Sequence, residues 1–396
     1  MRIHSAIIGL GLVALPITSV LAQKNINGQV NTITTGVPFL RISPDARAGA
    51  MGDVGIATSP DPNAQYWNVG KTPFAEKKFG LSLTYTPWLR DLVPDISLAY
   101  VSGYLKFGKE DRQALSASLR YFSLGDINFT DANAQPIGTG KPREYAIDLG
   151  YSRRLSDYLS AGVSLRYVYS ALLTGISNTS TASYKPGKTV AADLGLFYSK
   201  KNEITEYKSN TLNAGLAITN LGGKISYDAT GTRRDFLPIN LGLGVAYNMH
   251  VDEYNQFTIA LDVNKLLVPT PIDSSTEPGV TKYYIPTNKS VTSAVFGSFG
   301  DAQGGFSEEL REIQISVGAE YWYQNQFALR AGYFYEDKTK GDRKYFTLGV
   351  GVRYKVFQLN GSYLVPSGNG ITRNPLSNTF RFSLMFEFDK IEKESN

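Results

Sequence analysis

The sequence contains no cysteine. That removes an N-terminal lipid-anchored thiol, disulfides and thiolate metal sites together. Beyond the N-terminus it also lacks any run approaching 18 apolar residues, so spanning helices are excluded. Histidine is nearly absent: His4 lies in the N-terminal stretch and His250 stands alone. A lone histidine without cysteine excludes the usual transition-metal clusters and leaves a Ser-His-Asp site one candidate base. A solvated turn is the expected setting for His250. The net charge of +5 over 396 residues is too small a balance for a nucleic-acid surface, and it suits anionic lipid headgroups. No cofactor, no metal, no catalytic residue and no nucleic-acid partner are expected.

Residues 1–22 have the three parts of a secretory signal. Arg2 and His4 give a positive start, Ile7 to Leu15 an apolar core, and Val20-Leu21-Ala22 a small-residue cleavage site, which places the mature start at Gln23. The rest divides into an N-terminal extension and plug over 23–78, a barrel over 79–388 and a charged periplasmic tail over 389–396.

From Phe79 onward polar and apolar residues alternate, which places successive side chains on opposite faces of a strand. In Lys344–Tyr354, Phe346, Leu348, Val350, Val352 and Tyr354 share one face, and Tyr345, Thr347, Gly349, Gly351 and Arg353 the other. The spacing predicts fourteen strands: 79–89, 94–106, 112–124, 143–153, 157–170, 189–200, 210–219, 238–248, 254–265, 311–322, 325–336, 343–354, 356–366 and 378–388. Long connections (125–142, 171–188, 220–237, 266–310, 367–377) alternate with short ones such as Leu155-Ser156 and Gln324. Segregated loop lengths, tyrosines near strand ends and a final strand closing on Phe388 predict an all-β, 14-stranded antiparallel transmembrane barrel. The competing reading is a large secreted β-protein whose apolar face is an ordinary core.

The second face carries Arg120, Asp148, Arg166, Asp193, Asp262, Glu320, Arg330, Arg353, Arg381 and Glu387. Fourteen strands enclose more space than their own side chains fill, so water or a plug must occupy it. The stretch Gly36–Phe74 has little regular period and is rich in Gly, Pro, Asp and Ala. It is predicted to be a hatch inside the lumen, with Arg41, Asp45, Arg47 and Asp53 pairing with lumen charges. The alternative is that these residues form local turns and caps, since Ser43-Pro44-Asp45 is itself a start signal.

Two loops stand out. The 171–188 loop is rich in Ser and Thr and reads as mobile. The 266–310 connection is long for a β-protein, and such loops are usually functional or disordered. Within it Val291, Val295, Phe296, Phe299, Phe306 and Leu310 have a partly helical spacing broken at Gly304-Gly305. The first five read as a partner-binding surface; the alternative is a lid folded over the barrel mouth. Glu308-Glu309 reads as a solvated helix face.

The stretch FLRISPDARAGAMGDVGIATSPDPNAQYWN and the loop segment SFGDAQGGFSEELREI resemble the PorV family of the Bacteroidetes type IX secretion system. More distantly, the layout resembles FadL-type fatty-acid transporters, whose hatch often carries Asn-Pro-Ala; here the corresponding residues are Asn68-Val69-Gly70. Asn68 joins Arg41, Asp45, Arg47 and Asp53 as a candidate plug anchor.

The PorV resemblance implies a non-enzymatic export component, integral to the outer membrane with both termini periplasmic. Its implied partners are the translocon channel, cargo C-terminal sorting domains, a sortase and attachment complex, and outer-membrane lipid and lipopolysaccharide. The alternatives are a FadL-like transporter of long-chain fatty acids or other hydrophobic compounds, which needs an apolar path beside the plug, and a lipid-modifying enzyme, which needs a clustered nucleophile and base.

Overall fold

The alternating pattern becomes strand because inward residues pack on the filling of the lumen while outward ones form an exposed apolar surface. The computed structural model describes residues 30–88, 95–130, 133–173, 184–273, 283–367 and 379–389. In chain order the strands are β1 (Phe79–Pro87), β2 (Ser97–Phe107), β3 (Gln113–Ser123), β4 (Ile127–Thr130), β5 (Pro136–Gly140) and β6 (Arg143–Arg154). Then follow β7 (Leu159–Ala171), β8 (Gly187–Thr205), β9 (Lys208–Gly222), β10 (Asn240–His250), β11 (Asn255–Leu266), β12 (Ile272–Asp273) and β13 (Tyr283–Tyr284). The last are β14 (Ile313–Tyr323), β15 (Phe327–Tyr335), β16 (Lys344–Tyr354), β17 (Phe357–Pro366) and β18 (Thr379–Phe388).

Fourteen of these close into one antiparallel barrel, each pairing with its chain neighbour and β1 pairing with β18. Phe79 lies opposite both Leu105 and Phe388, so no sheet edge is left open. The two remaining pairs, β4–β5 and β12–β13, stand in long connections. Outward residues such as Leu149, Leu165 and Leu329 are at least 60% exposed, whereas the inward Arg120, Asp148, Asp262 and Glu320 are buried.

All fourteen predicted barrel strands are present. The largest difference is in β8 and β9, of 19 and 15 residues, which run on as a ribbon to a turn at 206–207. Alternation within the predicted strand 238–248 sets Ile239 on the same apolar face as Leu241, Leu243 and Val245, but it precedes β10 and turns inward to complete burial. Short turns gather at one end of the barrel and long connections at the other.

The N-terminal segment fills the lumen. It contains the short helices η1 (Pro38–Arg41), α1 (Ala46–Gly49), α2 (Ala64–Trp67) and η2 (Val69–Phe74). It starts at the long-loop end, where the Asn31 amide donates to the Thr339 carbonyl and the Gly36 amide to the Phe236 carbonyl. It leaves at the short-turn end, where the Lys106 ammonium donates to the Ala75 carbonyl. Contact with the wall is backbone to backbone at Gly52 (φ +70°). A Cβ on Gly332 would lie 2.1 Å from the Gly52 nitrogen, so neither position has room for a side chain.

The expectation of two termini at the short-turn end concerns residues outside the described ones; the last described strand ends at that end, with Phe388 beside Phe79. The described N-terminal residues lie at the opposite end, because the segment threads the lumen before entering β1. The predicted signal (1–22), most of the predicted tail and residues 174–183 of the Ser/Thr-rich loop fall outside the described residues.

Candidate functional site: the lumen centre and the long-loop cap

The lumen centre is built on α1. Asp45 caps this helix, accepting from the Ala48 amide at 2.9 Å, and its other oxygen accepts from Trp67 Nε1 at 2.7 Å. Burial raises the Asp45 pKa, with the Asp61 charge adding and these two hydrogen bonds opposing. The cap turns Arg47 toward the wall. Its Nε and Nη2 donate to both Glu320 oxygens at 3.0 and 2.8 Å, and Nη1 reaches Asp61 at 2.9 Å. Arg330 donates to the same Glu320 from the next strand, at 2.6 Å. Burial works against the Arg47 charge, but Glu320 and Asp61 outweigh it and raise the pKa.

The other plug candidates divide. Asp53 accepts from the Tyr345 hydroxyl at 2.6 Å and lies 3.5 Å from Arg381. Arg41 donates to neutral Gln314 rather than to a charge. Asp45 is consumed by the cap and Trp67 and meets no lumen charge, so the local-cap alternative describes it. Asn68 donates to the wall carbonyl of Leu196 at 2.9 Å and accepts from the Gly70 amide at 3.0 Å.

Sequence reasoning missed Asp61, Gln65 and Lys71. Lys71 is buried inside the plug, and its ammonium donates to the Gly55 carbonyl at 2.6 Å and Thr58 Oγ1 at 3.2 Å. Burial pushes its pKa down to about 8. No local pattern marks a lysine whose partners are two loop turns away.

The long-loop cap carries α3 (Val291–Gly297) and α4 (Phe306–Arg311), separated by Gly305 at φ +68°. Ser290 caps α3 by accepting from the Ser293 amide at 3.1 Å. The five candidate loop residues split by face. Val291 and Val295 pack beside buried Ala294 onto the apolar cluster in the barrel mouth. Phe296, Phe299 and Phe306 are 76%, 53% and 75% exposed, and Leu310 is exposed with them.

Glu308 and Glu309 are buried, not solvated. Glu308 accepts from Lys340 at 2.6 Å and from the Asn31 side chain at 3.0 Å. Glu309 and Glu312 share Lys265 at 2.9 and 2.6 Å, and Glu312 also holds Lys340 at 3.0 Å. These pairs latch the cap to β11, to the 336–343 loop and to the N-terminal segment. They are invisible to helical periodicity because the lysines come from elsewhere in the chain.

Among the described residues, spaces remain in the lumen. A chamber of about 70 Å³ beside the plug is lined by polar groups including Arg41, Asp53, Arg166 and Asn220. A cavity of about 450 Å³ is lined by Asn213, His250, Arg353, Gln358 and Glu387. His250 is therefore half-buried on this cavity wall and not in a solvated turn, because the strand alternation carries two residues past Asn248. Among the described residues no three His, Asp or Glu side chains are placed to hold a metal ion.

The family model described as Type IX secretion system protein PorV matches residues 24–273, more than half of the chain. No curated protein matches the chain. Among solved structures, the toluene transporter TbuX of Ralstonia pickettii is 13% identical, with 87% of this chain and 98% of that one covered at a TM-score of 0.45. The Pseudomonas putida toluene transporter TodX is 13% identical over 90% and 98%, with a TM-score of 0.45. A Pseudomonas aeruginosa FadL homologue is 11% identical over 91% and 100%, with a TM-score of 0.42.

Proposed function

Because the chain belongs to the PorV family of type IX secretion system proteins, we propose that this outer-membrane barrel receives exported proteins by their C-terminal sorting domains and passes them from the translocon to the surface-attachment machinery. The observation that carries this reading is the cap. Phe296, Phe299, Phe306 and Leu310 form an exposed apolar face on a loop that buried ion pairs hold in place. Large exposed apolar side chains on a fixed support point to a site of interaction. Long loops of such barrels face outward, which puts the cap at the cell surface and the short turns in the periplasm.

The filled lumen favours a binding role over passage. A fatty-acid transporter needs an apolar route past the plug, whereas the spaces of about 70 and 450 Å³ beside this plug carry charged and amide side chains such as Arg41, Asp53, Arg166, Arg353 and Glu387. Arg47, Asp53 and Asn68 are the anchors proposed to keep the plug seated, with Arg41 in a weaker, neutral contact.

The test is made in the native bacterium. The gene is deleted and then restored either intact or as Phe296→Ser/Phe299→Ser. Deletion is expected to trap uncleaved sorting-domain cargo in the envelope with fatty-acid uptake unchanged. The double variant is expected to fold but restore surface cargo poorly. Normal surface cargo with impaired uptake of hydrophobic compounds would make the protein a transporter.

A further inference from the structure

The outer wall has a hollow. Its volume is about 930 Å³, within the range of ligand sites, and it spans strands β11 and β14–β18. Its floor is Ala319, Ala331 and Gly361. Ala319 and Ala331 face each other in register, and Gly361 lies beside Val350 on the next strand pair. Packed aromatic pairs stand at two corners: Phe257 with Tyr321 at 4.7 Å and Tyr363 with Phe380 at 4.6 Å.

Internal packing does not explain the missing side chain at Gly361. A Cβ there would meet nothing within 4 Å, unlike the inward glycines, whose added Cβ atoms would strike the plug or the wall. The glycine leaves room outside the protein. On an outer-membrane barrel that room lies in hydrocarbon, where an unfilled hollow forfeits dispersion contacts.

A cation stands above it. Lys344 shares the outward face of β16 with Leu348, a wall of the hollow, and lies about 13 Å further along the strand at about 3.3 Å per residue. It pairs across strands with Tyr335, its ammonium 5.3 Å from that ring, and with Asp342 at 3.1 Å. A lysine beside a tyrosine at a strand end is placed at headgroup level.

We propose that this hollow seats the acyl chains of a phosphate-bearing lipid of the bilayer, with its phosphate at Lys344 and Tyr335. The site rests on the outer-membrane barrel and not on the cargo role, so either can fail alone. Gly361→Phe fills the hollow without an internal clash, Lys344→Glu reverses the headgroup charge, and Leu165→Phe enlarges an exposed position on another strand as control.

The full-length proteins are placed in nanodiscs of equal phosphatidylglycerol and phosphatidylcholine, and retained lipid is counted by native mass spectrometry. Wild type is expected to keep one or two lipids, phosphatidylglycerol favoured. Gly361→Phe is expected to lower retention about fivefold, which is roughly 1 kcal/mol. Lys344→Glu is expected to keep lipid and lose the preference. Heat-modifiable gel migration confirms that each variant is folded. Equal retention by wild type, Gly361→Phe and Leu165→Phe would overturn the site as ordinary annular lipid. Unchanged lipid with loss of a co-purifying membrane protein in Gly361→Phe would overturn it in favour of a protein face.

Discussion

The mouth of the lumen and its centre are held by different physics. At the long-loop end, Val37, Phe39 and Leu40 of the N-terminal segment meet Leu98, Phe122, Val168, Phe236 and Ile239 in a dry cluster. Deeper in, the plug is held through Arg47, Glu320, Asp61 and Arg330, next to a cavity of about 450 Å³. Apolar packing tolerates small shifts because it is non-directional. A buried ion pair tolerates none, because losing one partner strands the other. The mouth is therefore sealed by area and the centre by geometry, and a plug with both can be seated without slipping in register.

The comparison breaks most sharply at Arg47. Arg47→Glu sets a third carboxylate against Glu320 and Asp61, and breaking such a pair costs about 3–5 kcal/mol. The plug should loosen, and single-channel conductance in planar bilayers should rise. Conductance identical to wild type would show that Arg47 does not hold the plug.

Phe39→Ala attacks the mouth. Phe39 is fully buried and stacks on Phe122 at 6.2 Å between ring centres. The cavity should cost about 3–5 kcal/mol at most, less where the cluster collapses into it. The thermal midpoint should fall while conductance stays low, since the ionic centre is intact. A conductance rise equal to that of Arg47→Glu would erase the distinction between mouth and centre.

Lys71 tests the centre through pH. Burial lowers its pKa from 10.5 to about 8, so between those values the unfolded chain binds a proton that the folded chain does not. Stability from this group is therefore fully present above pH 10.5 and lost as pH falls to about 8. The span is up to about 3.5 kcal/mol, taking roughly 1.4 kcal/mol per unit. The difference in thermal midpoint between wild type and Lys71→Met should grow from pH 8 to 10.5 and be flat below. A constant difference would mean that Lys71 is not buried as a cation.

Much of this was legible in the sequence, for a local reason. Period two is written residue by residue, so the fourteen strands and their inward charges could be read without knowing any partner. What could not be read depends on distant chain. Ile239 looks like one more residue of the Leu241 and Leu243 face until Phe39 and Leu40 arrive to bury it from inside. Glu308-Glu309 looks solvated until Lys265 and Lys340 arrive from other loops. Asp45 looks like a lumen partner and is spent on its own helix, because a cap three residues away costs less chain entropy than a distant pair. The cap's two faces were legible only as a spacing, which could not say which side turned inward.

That last ambiguity yields the smallest effect and the finest test. Val295 and Phe296 are neighbours on α3, one packed against the mouth cluster and the other 76% exposed. Val295→Ser places a hydroxyl at the edge of a dry cluster and should cost about 1 kcal/mol. It should be read as faster proteolysis of the 285–312 segment, because the cap opens more often while the barrel stays closed. Phe296→Ser removes a larger side chain yet should stay within about 0.5 kcal/mol, since that ring loses little contact with the protein. Its effect belongs to partner capture instead. If Phe296→Ser proves the more destabilising of the two, the exposed face is part of the fold, and the docking surface must be sought elsewhere.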